Sequence, residues 1–177
     1  MSRSLPPCPH LPPAPAVMDA GALTAHGDER DAGFYLTALT YAQYLWQRGH
    51  VARAMLKVDR ALLSDVRAGD PVLRDWPLPY AAMAWFLRHA PPDVFIGNPR
   101  VHFQHLADRM NEPRREQRRW RTWACWAICR AVRPEFPADP KHQVVEPSLD
   151  LIAQKITTHG LPGETGQWLT VLQDATD

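Results

Sequence analysis

The sequence predicts an all-α protein. From Asp31 onward the apolar residues recur at helical spacing, and no stretch alternates as a strand would. Helix stops and restarts, at Gly49, at Asn98-Pro99 and at Gly160, fall between the periodic runs. These signals describe a compact bundle of about seven helices arranged as antiparallel hairpins.

The first helix is expected over 33–48. Phe34, Tyr35, Leu36, Ala38, Leu39, Tyr41, Ala42, Tyr44, Leu45 and Trp46 cover most of its circumference, so both of its sides should be packed. Gly49 stands where a helix C-cap prefers glycine. The second helix, 50–68, is amphipathic. Val51, Ala54, Met55, Val58, Ala61, Leu62 and Val66 form one stripe, and Arg53, Lys57, Asp59 and Arg60 are expected to face outward. Gly69-Asp70-Pro71 closes this hairpin.

The third helix, 78–89, is nearly all apolar from Tyr80 to Leu87 and should be buried on several sides; Ala90-Pro91-Pro92 stops it. Asn98 as N-cap and Pro99 at the first helical position begin a fourth helix that runs to Met110. The fifth, 113–132, starts at Glu112-Pro113 and turns Trp120, Trp123, Ala124, Ala127, Ile128 and Ala131 inward. Residues 134–147 hold four prolines and form a loop. Two short helices follow. One spans 148–159, with Leu149, Ile152 and Ile156 inward and Gly160 as C-cap. The other spans 163–173, with Trp168, Leu169, Val171 and Leu172 inward.

The first hairpin resembles a tetratricopeptide repeat. Ala42 takes the family's small position in the first helix, Gly49 the turn, Ala54 the crossing point, Val58 the large apolar site and Ala61 the second small site. Small residues on facing stripes let two helix axes approach closely. The resemblance covers one repeat, residues 34–66, and no second copy of the pattern follows between 76 and 99. It implies partner binding and brings no catalytic residue with it.

Residues 1–30 read as a flexible tail set against a single helical domain over 31–177. Pro6, Pro7, Pro9, Pro12, Pro13 and Pro15 favour extended or polyproline backbone, which buries little surface. Met18 is an alternative start. The chain of 177 residues is 45% apolar and 22% charged, with a net charge of +1, so bulk electrostatics favour neither nucleic acid nor membrane. The longest apolar run, near Ala81–Leu87, has the length of a buried helix and not of a membrane span. Cys8, Cys125 and Cys129 are too few for a disulfide scaffold, which points to a reducing cytoplasm. The Arg-rich, Pro-rich and Ala-rich composition suits a GC-rich bacterial genome.

One helix departs from this even composition. Between Pro113 and Arg133 there are seven arginines and one acid, Glu116, which gives the segment +6 and leaves −5 for the rest of the chain. Arginines at a helix amino terminus oppose the macrodipole at a cost of a few tenths of a kcal/mol each, so they call for anionic company. That company is either the protein's own acids or an external phosphate, nucleic acid or acidic partner. Arg114, Arg118 and Arg121 share one face, with His102 and His105 on the preceding helix as possible assistants.

Cys125 and Cys129 sit at i, i+4 and His102 and His105 at i, i+3, which would permit a zinc site if the two helices met. An apolar helix favours the other reading, in which both cysteines pack as small hydrophobes. The same pairs would be needed for a nucleophilic cysteine, which wants an exposed, electropositive setting. No glycine-rich phosphate loop, nucleophile elbow, zinc-protease helix or dinucleotide fingerprint occurs. Trp120 and Trp123 should face the core while Trp126 turns partly away, and an exposed Trp beside Arg would suit a protein interface.

The expectation is therefore a non-enzymatic helical interaction protein that binds a protein partner or itself, with no cofactor. The alternative is a binder of an anionic ligand, phosphate-bearing or nucleic acid, through the Arg-rich helix 113–133.

Overall fold

A computed structural model describes residues 4–16, 32–62, 78–90, 116–134 and 146–176, with the side chains of 32–35, 117 and 118 excepted. Among the described residues there are six helices and no strand: α1 (Ala32–Gln47), α2 (Val51–Leu62), α3 (Tyr80–His89), α4 (Glu116–Val132), α5 (Leu149–His159) and α6 (Glu164–Thr176). The all-α class is as the periodicity predicts. The helix expected over 98–110, with His102 and His105, lies outside the described residues. None of the described helices is long and apolar enough to cross a membrane. The chain divides into two compact units, residues 1–86 and 87–177, with the division inside α3.

In the first unit, Gly49 ends α1 as expected. Its φ of 84° is in the left-handed region. The amide of His50 donates to the carbonyl of Leu45 and that of Gly49 to Trp46, both at 2.9 Å, the paired bonds of a Schellman cap. The turn folds α2 back along α1. Ala38, Ala42, Ala54 and Ala61 are all buried, the small residues that a close helix crossing needs. Trp46 stacks on Phe86 with ring centroids 4.5 Å apart and meets Trp85 edge-on at 5.2 Å.

Asp59 corrects the pattern drawn for α2, because it is fully buried where an outward position was expected. It lies four residues after Met55 and three before Leu62, so helical geometry carries it into the stripe whatever its polarity.

In the second unit, α4, α5 and α6 each pack against the other two. Ser148 caps α5, its Oγ accepting from the amide of Leu151 at 3.2 Å, and Gly160 closes it, donating to the carbonyl of Ile156 at 2.7 Å. A Cβ at Gly160 would lie 2.6 Å from the Ile156 carbonyl oxygen and 2.8 Å from Glu164 Oε1, so the chain passes too close there for any side chain. Glu164, Trp168 and Leu172 form the buried stripe of α6, at successive four-residue steps. Leu149 and Leu169, both expected inward, are 51% and 43% exposed.

The helix α4 is buried over nearly its whole circumference from Trp120 to Trp126. Trp126 is therefore not turned away: it is buried, and its indole Nε1 donates to Glu146 Oε1 at 2.8 Å. Ala127 and Ala131, expected inward, are only half-buried.

Candidate functional site

The Arg-rich helix finds acids within its own unit. Arg121, a candidate anion- or partner-binding residue on one face with Arg114 and Arg118, is 2% exposed and forms a buried ion pair with Glu164, itself 0% exposed. The guanidinium forks onto the carboxylate, with Nε donating to Oε2 at 2.9 Å and Nη2 to Oε1 at 2.7 Å. The same Oε1 accepts from the amide of Leu161 at 3.0 Å, and Glu164 is the first residue of α6, where the helix dipole favours an anion. An arginine held this way is not available to an external ligand.

Other groups on α4 and just beyond its end also find partners. Arg130 Nε lies 3.7 Å from Glu146 Oε1 at the surface, and Arg133 Nε donates to the carbonyl of Leu87 at 3.2 Å. Around Trp120 a small polar cluster gathers. The indole donates to Glu116 Oε2 at 2.7 Å, His159 Nε2 lies 3.9 Å from the same oxygen, and Arg119 and Lys155 stand over the ring. The indole hydrogen bond, followed by the positive charges of Arg119, His159 and Lys155, holds the Glu116 carboxyl below its ordinary range.

Arg114, His102 and His105 lie outside the described residues, as does the side chain of Arg118. Cys125 and Cys129 are fully buried, consistent with packing as small hydrophobes. Among the described residues no group of three or more His, Cys, Asp or Glu side chains is placed to hold a metal ion.

The first unit holds a feature that the composition concealed. Residues 4–16 lie along α1 and bury Cys8 (1% exposed), Leu11 and Pro12. The contact is directed at main chain. The primary amide of Gln43 clasps both peptide groups of Cys8: its Oε1 accepts from the Cys8 amide at 2.9 Å, and its Nε2 donates to the Cys8 carbonyl at 2.8 Å. Trp46 Nε1 donates to the carbonyl of Pro6 at 2.6 Å. The amide of Leu5 donates to the carbonyl of Gln47 at 3.1 Å, and Arg48 Nη2 donates to the carbonyl of Ala16 at 2.8 Å.

These bonds satisfy Gln43, a buried polar side chain on an otherwise apolar stretch of α1. Burial pushes the Cys8 thiol up to about 12, even though the amides of His10 and Leu11 favour its thiolate. Sequence reasoning missed this face because proline content describes how little a segment buries on average. It does not register two anchors, Cys8 and Leu11. The legible signal was Gln43, set among Tyr41, Ala42, Tyr44, Leu45 and Trp46 in a helix expected to be packed on both sides, where a buried amide needs partners.

Comparison with protein-family models, with curated proteins and with solved structures returned no match.

Proposed function

We propose that the chain is a non-enzymatic helical interaction protein that binds a protein partner or a second copy of itself in the reducing cytoplasm of a bacterium. The observation that carries this reading is the face of α1, which grips an extended segment through Gln43 and Trp46 by hydrogen bonds to its main chain. The tetratricopeptide-like placing of Ala42, Ala54 and Ala61 supports the same reading, since it describes a rigid hairpin on which such a face can be held. Three buried thiols suit a reducing compartment. The anionic-ligand alternative loses ground because Arg121 is neutralised by Glu164.

The test is a photoreactive residue placed at His50, an exposed position in the turn that follows α1 and outside the gripping residues, in cells that make the protein. The expected result is a discrete crosslinked protein that rebinds the purified chain with little dependence on salt. Absence of any crosslinked protein, or binding that falls steeply as salt rises in the manner of a polyanion, would overturn the reading.

A further inference from the structure

The bonds that hold residues 4–16 have a consequence for recognition. Gln43, Trp46, Gln47 and Arg48 all address peptide groups of the segment and none addresses a side chain. Such a face reads the path of a backbone and leaves sequence to whichever side chains are buried. Here those are Cys8, Leu11 and Pro12, while Pro6, Pro7, Pro9 and Pro13 stand exposed. The ligand side is equally suited to the task. A residue preceding proline is held to extended backbone, and a proline-rich stretch enters the bound conformation with little entropy left to lose. The acceptor used by Trp46 is the carbonyl of Pro6, one of the few main-chain groups that a proline-rich stretch has to offer.

We propose that the α1 face is a receptor for an extended, proline-containing segment of another protein, and that residues 4–16 occupy it in cis as a built-in competitor. The proposal rests on the reading of the chain as an interaction protein and names the chemistry of its partner. That partner supplies a proline carbonyl to Trp46, a small side chain two residues later where Cys8 now sits, both of whose peptide groups meet Gln43, and a Leu-Pro pair in place of Leu11-Pro12. The resident segment is joined to α1 through residues 17–31. Because the resident segment belongs to the same chain, its supply is intramolecular, with an effective concentration on the order of millimolar, and a partner arriving in trans must outcompete it. Resident and incoming segments therefore exclude one another.

The experiment uses the full chain carrying Cys8→Asp and Leu11→Asp, which places a charge at each anchor and releases the segment from α1. The probe is a fluorescein-labelled peptide of residues 4–16 in which Cys8 is replaced by alanine, followed by fluorescence anisotropy. Saturable binding is expected, about tenfold or more tighter than to the unsubstituted chain, since the competing local supply is gone. Adding Gln43→Ala should abolish it. No saturable binding to a folded Cys8→Asp, Leu11→Asp chain at peptide concentrations up to about 1 mM, the scale of the tethered supply, overturns the proposal, as does binding indifferent to Gln43→Ala.

If the double variant does not fold, the unsubstituted chain reports by itself. Excess peptide must then accelerate iodoacetamide labelling of Cys8, read by mass spectrometry, and an unchanged rate overturns the proposal. A chain that proves dimeric, and becomes monomeric on Cys8→Asp with Leu11→Asp, would assign the face to the same segment of a second copy and overturn a foreign partner. Failure of peptide binding leaves the crosslinking result at His50 untouched, so the two readings fail separately.

Discussion

Replacing Glu164 with alanine removes the carboxylate onto which Arg121 forks, while Arg121 remains 2% exposed within α4. Two charge-assisted hydrogen bonds of 2.9 and 2.7 Å are lost, together with the acceptor for the amide of Leu161. Removing one partner of a buried ion pair costs about 3–5 kcal/mol, chiefly because the remaining charge is left in a poorly solvating interior. A domain has about 5–15 kcal/mol of stability in total, so the change consumes a large part of it.

Urea unfolding followed by tryptophan fluorescence is the appropriate assay, since Trp120, Trp123, Trp126 and Trp168 are all buried in the same unit. With a slope of about 2 kcal/mol per molar urea, the midpoint should fall by about 1.5–2.5 M. The double change Arg121→Met with Glu164→Gln should recover most of the loss, because it removes both buried charges together and keeps an acceptor for the Leu161 amide. A Glu164→Ala cost below about 1 kcal/mol, the value of a surface pair, would refute the account of Arg121 as a buried, internally neutralised cation.

Three further outcomes follow from the same geometry. Gly160→Ala should destabilise the second unit by about 1–3 kcal/mol in thermal melts, because the new Cβ meets the Ile156 carbonyl and the Glu164 carboxylate below 3.0 Å. Gly49→Ala forces a side chain into the left-handed region at a φ of 84° and should cost about 1–2 kcal/mol, read by urea unfolding with Trp46 and Trp85 as reporters. Cys8 carries the pH dependence. Its folded thiol is raised from 9.0 to about 12, so the stability its burial contributes is present below 9.0 and is lost as pH rises toward 12. Thermal melts across that alkaline range should fall for the native chain and stay flatter for Cys8→Ala, whereas equal slopes would show the thiol to be exposed.

The parts of this fold that were legible in advance are those set by short-range physics. A glycine that ends a helix acts within a few residues of itself. Hence Gly49 and Gly160 end helices in the expected places. The stripe of α2 from Val51 to Leu62 was legible for the same reason, since helical spacing is a local property. At Asp59 the same stripe misleads, because polarity argues outward while helical position carries the residue inward.

The candidate sites were less legible. The surplus of arginine between 113 and 133 calls for anions, yet for Arg121 the choice between internal and external ones turned on Glu164, which is 43 residues away in sequence. A helix stripe likewise does not say how many neighbours its helix will have. Trp126 is buried because α4 is covered almost all round between Trp120 and Trp126, and Leu169 is exposed because the buried stripe of α6 runs through Glu164, Trp168 and Leu172.

By itself, then, the sequence determined an all-helical chain, its main turns and caps, a close-packed first hairpin and a helix in need of negative charge. Tertiary structure alone decided that Arg121 is neutralised from within and that the proline-rich segment lies on α1 under the grip of Gln43 and Trp46. The physical reason is the same in both cases. Burying a charge or a proline-rich segment is favourable only when specific distant groups meet it, and composition averages over those groups while the fold selects them.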